Sequence, residues 1–270
     1  MAKTIGIISI KGGVGKTSIT SALGASLAND FGKKVLVVDA NFSAPNLGLH
    51  LGLVNPEVTL HHVLNDKIDV KEAVYESEYG FHVIPGALIY SNQINPFKLK
   101  SKLKQLKNYY DVILIDSSPT LNNEILASII ASDELYAVTS PDHVTLSTTL
   151  RVLRAAKEKK NPIKGLILNK VYGKDFEIGI KEVEDTSDCK VLAVLPHEIA
   201  MIEALSKSIP SSLYKNTAST REIKKLAGAL IGEEYKEKGI VGRIRNLFSS
   251  SSVQEKNRLD LINGEINYSK

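Results

Sequence analysis

A glycine-rich segment near the start of the chain, residues 10–18, constrains the fold more than any other part of the sequence. It reads IKGGVGKTS, ends an apolar run that starts at Thr4, and opens a stretch with helical spacing of apolar residues. A glycine loop between a strand and a helix lets backbone N–H groups turn inward, and the helix N-terminus adds positive dipole. The segment therefore predicts a phosphate-binding loop, in which Lys16 reaches the terminal phosphates and the Thr17 hydroxyl ligates Mg²⁺.

The loop departs from the usual Gly-x-x-x-x-Gly-Lys-Thr pattern in one respect. Ile10 stands where the first glycine is expected, and a second lysine, Lys11, precedes the glycine pair. Lys16 already serves the phosphates within one subunit, so Lys11 needs a role of its own, unless it is only a solvated lysine in a turn. The loop residues that we expect to bind nucleotide are Lys11, Gly12, Gly13, Val14, Gly15, Lys16, Thr17 and Ser18.

This form of the loop, x-Lys-Gly-Gly-x-Gly-Lys-Thr, resembles the deviant phosphate loop of the MinD/ParA ATPases, most nearly the MinD-like ATPases of cell division. The resemblance extends over about residues 3–248. It implies ATP and Mg²⁺ as ligands and an ATP-dependent homodimer. It also implies that Lys11 crosses the dimer interface to touch the partner's ATP, so that Lys11 and Lys16 both belong to the catalytic machinery.

The composition is that of an ordinary globular protein, with 43% hydrophobic and 24% charged residues in a chain of 270. This length suits one large α/β domain or two small ones. No apolar run approaches the ~18–20 residues of a membrane span, and the start lacks a signal-peptide pattern. The single cysteine, Cys189, excludes an internal disulfide framework and a Cys-x-x-Cys cluster site within one chain, and it fits a reducing cytosol.

Short β-branched runs alternate with helical patterns along the chain. Most strand candidates are continuously apolar, as expected when helices cover both faces of a sheet. This alternation predicts an α/β fold with a doubly wound, mainly parallel sheet of about seven strands and helices on both faces. The strand candidates are 4–10, 34–39, 81–85, 111–116, 134–140, 163–171 and 191–196, and the helix candidates include 17–31, 96–106, 122–131, 145–159 and 219–230.

Two predicted strands end in an aspartate, Asp39 in VVDANFSAPN and Asp116 in ILIDSSP. An acidic residue after a buried strand is costly unless it is paired or near a metal, although Asp also often caps a following helix. Two aspartates on strands that flank the first strand would both point at the phosphate site. We therefore predict that Thr17, Asp39 and Asp116 surround Mg²⁺. Asp116 would act on the ion through another ligand and not by direct contact, and Asp39 would also lie near the attacking water.

Asn41, two residues after Asp39, stands where MinD-like proteins usually carry a second aspartate that is tied to hydrolysis and to sensing the partner subunit. An amide can orient a water molecule through its oxygen but cannot accept a proton as a carboxylate does. Phosphoryl transfer depends mostly on positioning and electrostatics, so the loss need not abolish turnover. We expect Asn41 to give slow hydrolysis and a long-lived ATP state; an engineered substitution and a non-hydrolysing ATP-sensing scaffold are the alternatives.

Two further segments resemble the family's base-binding region. Asn169 ends the strand predicted at 163–171, where the family places an asparagine that contacts adenine. Pro196 lies in a segment similar to the family's proline-containing segment over the base. The resemblance implies that Asn169 and Pro196 bind the nucleotide, whereas chemistry alone leaves Asn169 as an ordinary turn residue.

The segment 236–248, KEKGIVGRIRNLF, carries an apolar stripe edged by cations. Such a face is typical of a helix in an anionic membrane surface, and a terminal helix packed on the domain is the alternative. At ~1 kcal/mol per cation near anionic lipid, one copy binds only marginally, whereas a dimer joins two copies. The apolar residues are Ile240, Val241, Ile244, Leu247 and Phe248, and the cations are Lys236, Lys238, Arg243 and Arg245.

These patterns divide the chain into an ATPase domain at 1–235, an amphipathic membrane-targeting helix at 236–248 and a disordered polar tail at 249–270. MinD-type proteins end in a similar amphipathic segment, whereas here about twenty residues follow it. We expect a cytoplasmic protein that associates peripherally with the membrane in its ATP state.

The leading hypothesis is a Mg²⁺-ATP-dependent dimerising ATPase that binds the membrane reversibly and positions another assembly, with a regulatory or effector protein that the sequence does not identify. A ParA-like DNA-partitioning ATPase is the second hypothesis. The net charge of +4 is modest, and the basic stretches 98–107 and 157–160 lack the aromatic interleaving or helix-turn-helix start that would favour DNA. An iron–sulfur carrier ATPase is disfavoured by the single cysteine.

Overall fold

The computed structural model describes residues 1–66, 68–161, 163–237 and 252–266. Its strands are β1 (Lys3–Ile8), β2 (Val35–Ala40), β3 (Tyr75–Glu76), β4 (His82–Ile84), β5 (Val112–Ser117), β6 (Glu134–Thr139), β7 (Ile163–Val171) and β8 (Val191–Pro196). Its α-helices are α1 (Lys16–Asn29), α2 (Leu47–His50), α3 (Leu60–Leu64), α4 (Leu99–Lys104), α5 (Asn123–Ala131), α6 (His143–Glu158), α7 (Ile180–Ser187), α8 (Ile199–Ser206), α9 (Ser211–Tyr214), α10 (Ala218–Leu230) and α11 (Val253–Ile262). Short 3-10 helices lie at Val70–Ala73 and Pro96–Lys98.

The eight strands form one sheet in the order β3-β4-β2-β5-β1-β6-β7-β8. All neighbouring strands run parallel except β3, which is antiparallel to β4 at the edge. The predicted doubly wound α/β fold is confirmed, and the strand beyond the expected seven is β3. With two residues, β3 is too short to leave a periodic signal in the sequence.

The central strands are buried on both faces, which explains their continuous apolar runs. Val35 and Val37 of β2 belong to a core shared with helices α1 and α10, whereas Leu36 and Val38 point into a core with helices α3 and α4 on the other face. Successive side chains of a strand point to opposite faces, so a strand between two helix layers needs apolar residues at every position. The sheet thereby becomes a rigid support for the loops at its edges.

The strand order places the carboxyl ends of β1, β5 and β2 side by side. β5 pairs with β1, and β2 lies beyond β5, so only one of the two aspartate-bearing strands flanks β1, not both as expected. Asp39 and Asp116 are nevertheless register partners on neighbouring strands. Ligands of such sheets bind beyond the carboxyl ends of the strands, where the order switches direction.

Helix α11 corrects the prediction of a disordered tail at 249–270. It packs against β8 and α10, and its Arg258, 3% exposed, donates a hydrogen bond of 2.9 Å to the Leu192 carbonyl. Asn257 donates to the carbonyl of Val191 at 2.8 Å. Because β8 is an edge strand, its free carbonyls need donors from elsewhere. Polar composition indicated a solvated segment, whereas these polar side chains cover a sheet edge, so the prediction is wrong for 253–262.

The predicted amphipathic helix at 236–248 lies, from residue 238 onward, outside the described residues, and it stays a prediction. Among the helices that the structure describes, none combines the length and the apolar composition needed to cross a bilayer.

Candidate functional site

A cavity of about 340 Å³ opens at the carboxyl edge of the sheet. The segments that follow β1, β2, β5, β7 and β8 all contribute to its lining. The predicted site residues that it brings together are Gly12, Gly13, Gly15, Lys16, Thr17, Ser18, Asn41, Asn169 and Pro196.

The glycine-rich loop forms one wall of this cavity and runs directly into α1. Gly15 precedes the first helical residue and has a φ of 95°, a left-handed conformation that favours glycine. A Cβ atom on Gly15 would also collide with Nδ2 of Asn169. The loop therefore requires glycine at this position for two independent reasons.

Asn169 ties the end of β7 to the loop. Its Nδ2 donates a hydrogen bond of 2.7 Å to the carbonyl of Val14, which is itself buried. The family resemblance implies an adenine contact for this asparagine, and its side chain lines the cavity. In the structure its amide nitrogen is hydrogen-bonded to the loop, and the adenine contact stays a prediction.

The two strand-end aspartates lie beneath the loop and are almost fully buried. Asp116 accepts a hydrogen bond of 2.6 Å from the Thr17 hydroxyl. Asp39 accepts three backbone N–H groups, from Asn41 at 3.1 Å, Asn46 at 3.0 Å and Leu47 at 2.9 Å. Asp39 thus shapes the segment after β2, while Asp116 faces the loop.

Burial dominates the electrostatics of this cluster. Burial and, to a smaller extent, the nearby charge of Asp116 raise the pKa of Asp39 to about 7, against the three backbone N–H groups that lower it. Burial also raises the pKa of Asp116 to about 6, against the opposing effect of Lys16. Burial lowers the pKa of Lys16, which Asp116 partly offsets. A bound cation would favour the ionised form of both carboxyls.

The donor set at this point fits Mg²⁺. Oγ1 of Thr17 lies 2.6 Å from Oδ2 of Asp116 and 3.1 Å from Oδ1 of Asn46, so the hydroxyl is surrounded by hard oxygen atoms. Within the described ranges no group of three or more His, Cys, Asp and Glu side chains is arranged to hold a metal. Mg²⁺ does not need such a group, because it is usually held by one or two protein oxygens, waters and substrate phosphates.

Asn41 brings an unsatisfied polar atom to the cavity. The residue is 6% exposed, and its Nδ2 donates to the carbonyl of Ala44. Its Oδ1 is buried and has no hydrogen-bond partner. A buried acceptor without a partner costs about 1–3 kcal/mol, and the residue that carries this one lines the cavity.

Lys11 differs from the other loop residues in position. Its side chain is exposed, and it does not line the cavity of its own subunit. Lys11 and Lys16 therefore cannot be equivalent, although they lie on the same short loop. This arrangement fits a lysine that acts on something outside its own cavity.

Several residues of the cavity wall were not anticipated from the sequence. Asn46 lies in the segment after Asp39, a position that could have been inferred from the strand-end rule. The wall formed by α8 had no such signal, because most residues of this helix are apolar and only Ala204 is buried. The additional lining residues are Asn46, His50, Ser117, Pro119, Lys170, His197, Glu198, Met201, Ile202 and Leu205.

Comparison with known proteins places this site in a family. A family model described as an AAA domain matches residues 2–167. An uncharacterized ATP-binding protein of Methanocaldococcus jannaschii is 34% identical over 238 residues, which cover 87% of this chain and 90% of the relative.

Two solved structures extend the likeness to three dimensions. The cell division ATPase MinD of Pyrococcus furiosus matches with 35% identity and a TM-score of 0.80, over 84% of this chain and 97% of that one. The septum site-determining protein MinD of Pyrococcus horikoshii, complexed with Mg-ADP, matches with 32% identity and a TM-score of 0.81, over 85% of this chain and 96% of that one. The loop, the two strand-end aspartates and these likenesses agree: the chain belongs to the MinD/ParA family of P-loop ATPases, as its sequence predicts.

Proposed function

We propose that this protein is a site-determining ATPase that binds Mg²⁺-ATP in the described cavity, dimerises in the ATP state and associates reversibly with an anionic membrane, where it positions another assembly. The observation that carries the proposal is the pair of buried carboxyls, Asp39 and Asp116, beneath the loop that holds Lys16. The likeness to a MinD structure complexed with Mg-ADP supports the same ligands here.

The loop residues bind the polyphosphate of ATP. Gly12, Gly13, Gly15, Lys16 and Thr17 line the cavity. Their backbone N–H groups and the ammonium group of Lys16 would offer donors to anionic oxygens. Thr17 and Asp116, with Asp39 close by, would hold Mg²⁺, which supplies charge neutralisation at the phosphates when bound. Pro196 and Asn169 lie on the wall formed by the ends of β7 and β8, where the base is expected.

Hydrolysis needs a group that orients the attacking water, and the unpartnered Oδ1 of Asn41 is suited to this. Both carboxylate oxygens of Asp39 already accept backbone N–H groups, so this carboxylate is held by the segment after β2 and is not free to turn toward the water. With orientation but no free base, turnover should be slow. The ATP-bound state then lasts long enough to be the working state of the protein.

The variant Asn41→Asp should hydrolyse ATP faster than the parent, by about tenfold or more, because a carboxylate at this position can accept the proton of the attacking water. The measurement is steady-state phosphate release at saturating Mg²⁺-ATP, and Asn41→Ala should be slower than the parent. If Asn41→Asp turns over no faster than the parent, the proposed role of Asn41 is wrong. If the parent releases no phosphate at all, the protein is an ATP-sensing scaffold and not an ATPase.

Dimerisation is supported by the apolar side chains exposed at the cavity edge of the sheet. Leu49 follows β2, Leu121 follows β5, Val144 follows β6, and Ile199 and Ile202 follow β8. Ile199 is 72% exposed and Ile202 also lines the cavity. Exposed apolar patches of this kind mark association surfaces. Because Lys11 is exposed at the same edge, a second copy placed there would bring this lysine toward the partner's nucleotide.

Membrane association is supported by the basic amphipathic sequence at 236–248 and by where the described chain approaches it. Lys3, the first residue of β1, donates from Nζ to the Leu230 carbonyl at the end of α10. The chain therefore leaves α10 at the amino edge of the sheet, opposite the cavity. A membrane contact there would leave the cavity edge free for the second copy.

The membrane proposal predicts that the full chain with Mg²⁺-ATP cosediments with vesicles that contain anionic lipid. The double variant Arg243→Glu/Arg245→Glu should bind at least tenfold more weakly, at ~1 kcal/mol per cation near the surface. The matched control is Arg151→Glu/Arg154→Glu, which reverses two exposed arginines on α6 and should leave vesicle binding unchanged. The membrane proposal would be contradicted if the protein bound duplex DNA but not vesicles, and if Arg243→Glu/Arg245→Glu left DNA binding unchanged. DNA would then be the surface to which the ATPase binds.

A further inference from the structure

The segment that carries Asn41 is fixed at its two ends by one buried carboxylate. Asp39 accepts the N–H group of Asn41 at the start of the segment and those of Asn46 and Leu47 at its end. These contacts leave the middle of the segment, residues 42–44, without support from Asp39. Whatever holds the middle decides where the Asn41 side chain lies.

The middle is held from helix α5. The hydroxyl of Ser43 donates to Oε1 of Glu124, and the N–H group of Ser43 donates to Oε2 at 3.3 Å. Glu124 is only 8% exposed, so its carboxylate depends on these partners for its hydrogen bonds. The side chain of Asn122 accepts the N–H group of Glu124 at 3.0 Å, which fixes the first turn of the helix.

A histidine holds the neighbouring residue from the other side. Nε2 of His61 lies 3.0 Å from the Phe42 carbonyl, and Nδ1 accepts the N–H group of Ala87 at 3.0 Å. Since Nδ1 accepts, Nε2 carries the proton and donates to Phe42. Phe42 and Ser43 are therefore both fixed to elements outside the segment.

The position of Ser43 determines that of the Asn41 amide through Ala44. The Ala44 carbonyl accepts Nδ2 of Asn41, and the opposite atom of the same amide, Oδ1, is left without a partner in a residue that lines the cavity. If the Ser43–Ala44 backbone shifts, the acceptor for Nδ2 shifts with it and the whole Asn41 amide moves. A misplacement of about 1 Å near reacting atoms can cost roughly 100-fold in rate.

We propose that Glu124 is a positioning residue for ATP hydrolysis, which acts through Ser43 to hold the Asn41 amide in place at the cavity wall; this inference rests on the proposed role of Asn41. Glu124 is not among the residues that line the cavity, so it would act through its neighbours. It belongs to the helix that follows β5 and Asp116, whereas Ser43 follows β2 and Asp39. The Ser43–Glu124 contact thus joins the two segments that lead away from the buried carboxyls.

The test compares kcat and KM for Mg²⁺-ATP in the full chain. Ser43→Ala removes the hydroxyl of an exposed residue, and Glu124→Gln replaces one accepting oxygen with an NH₂ group that faces a donor. We expect either variant to lower kcat about tenfold while KM changes less than about twofold. Ser43→Thr keeps the hydroxyl and should restore kcat. In the double variant Ser43→Ala/Glu124→Gln, kcat should fall no further than in the lower single variant.

The control is Glu184→Gln. Glu184 also accepts a backbone N–H group, that of Val191 at 2.7 Å, and a side-chain donor, Asn257, but at the amino end of β8, away from the cavity. The kcat of Glu184→Gln should match that of the parent. Hydrogen exchange of the amides in residues 41–46 should quicken in Ser43→Ala and Glu124→Gln and not in Glu184→Gln.

Three outcomes separate this inference from the function on which it rests. Unchanged kcat in Ser43→Ala and Glu124→Gln, beside a lowered kcat in Asn41→Ala, overturns the role of Glu124 alone. Additive losses in the double variant, or a raised KM with unchanged kcat, overturn it as well. Unchanged kcat in Asn41→Ala, or a parent without turnover, overturns the proposed hydrolysis and with it the role of Glu124.

Discussion

Lys16→Ala is expected to weaken binding of Mg²⁺-ADP by at least about 100-fold, because the phosphates lose their buried cationic partner and each tenfold corresponds to about 1.4 kcal/mol. Lys16 is 7% exposed, begins α1 and faces the cavity beside the backbone N–H groups of the loop. The measurement is isothermal titration calorimetry with Mg²⁺-ADP, a ligand that separates nucleotide binding from the proposed dimerisation.

The matched control for this prediction is Lys170→Ala. Lys170 lines the same cavity but is exposed and lies at the end of β7, on the wall where the base is expected. Its removal should change the affinity for Mg²⁺-ADP by less than about threefold, since an exposed cation in water contributes little. Equal losses in Lys16→Ala and Lys170→Ala would show that general positive charge, and not the loop lysine, holds the phosphates.

The fold was predictable because its strands carry a strong local signal. Strands covered by helices carry continuous apolar runs, such as 166–168 in β7 and 191–195 in β8, and these two strands have the predicted bounds, 163–171 and 191–196. Helix α11 carries no such signal, because Asn257 and Arg258 are polar residues whose partners lie in β8, more than 60 residues earlier. Burial of this kind is decided by tertiary contacts and not by local composition.

The candidate site was predictable where its chemistry depends on short motifs. The glycine loop and the aspartates near the carboxyl ends of β2 and β5 lie together at one edge of the sheet, as the strand-end rule requires. The contact of Ser43 with Glu124 joins residues 81 positions apart, and no motif links them. The wall formed by α8 was missed for a different reason, because its apolar residues resemble a core helix in sequence.

Lys11→Ala is expected to abolish the ATP-dependent dimer while leaving the affinity for Mg²⁺-ADP within about threefold of the parent. Lys11 is exposed and stands outside the cavity of its own subunit, so a single chain does not need it to hold nucleotide. In the dimer it would instead contact the partner's ATP through a charge-assisted hydrogen bond. Because the interface is symmetric, the substitution removes two such contacts from each dimer. Lys170→Ala should dimerise like the parent.

The most direct test of an ATP-driven dimer is the molar mass in solution with Mg²⁺-ADP and with Mg²⁺-ATP, measured by light scattering on the parent and on Lys11→Ala. The parent should be a monomer with ADP and a dimer with ATP, and Lys11→Ala should remain a monomer with either nucleotide. A Lys11→Ala dimer in ATP, or a parent with the same mass in both nucleotides, would contradict an ATP switch that operates through Lys11.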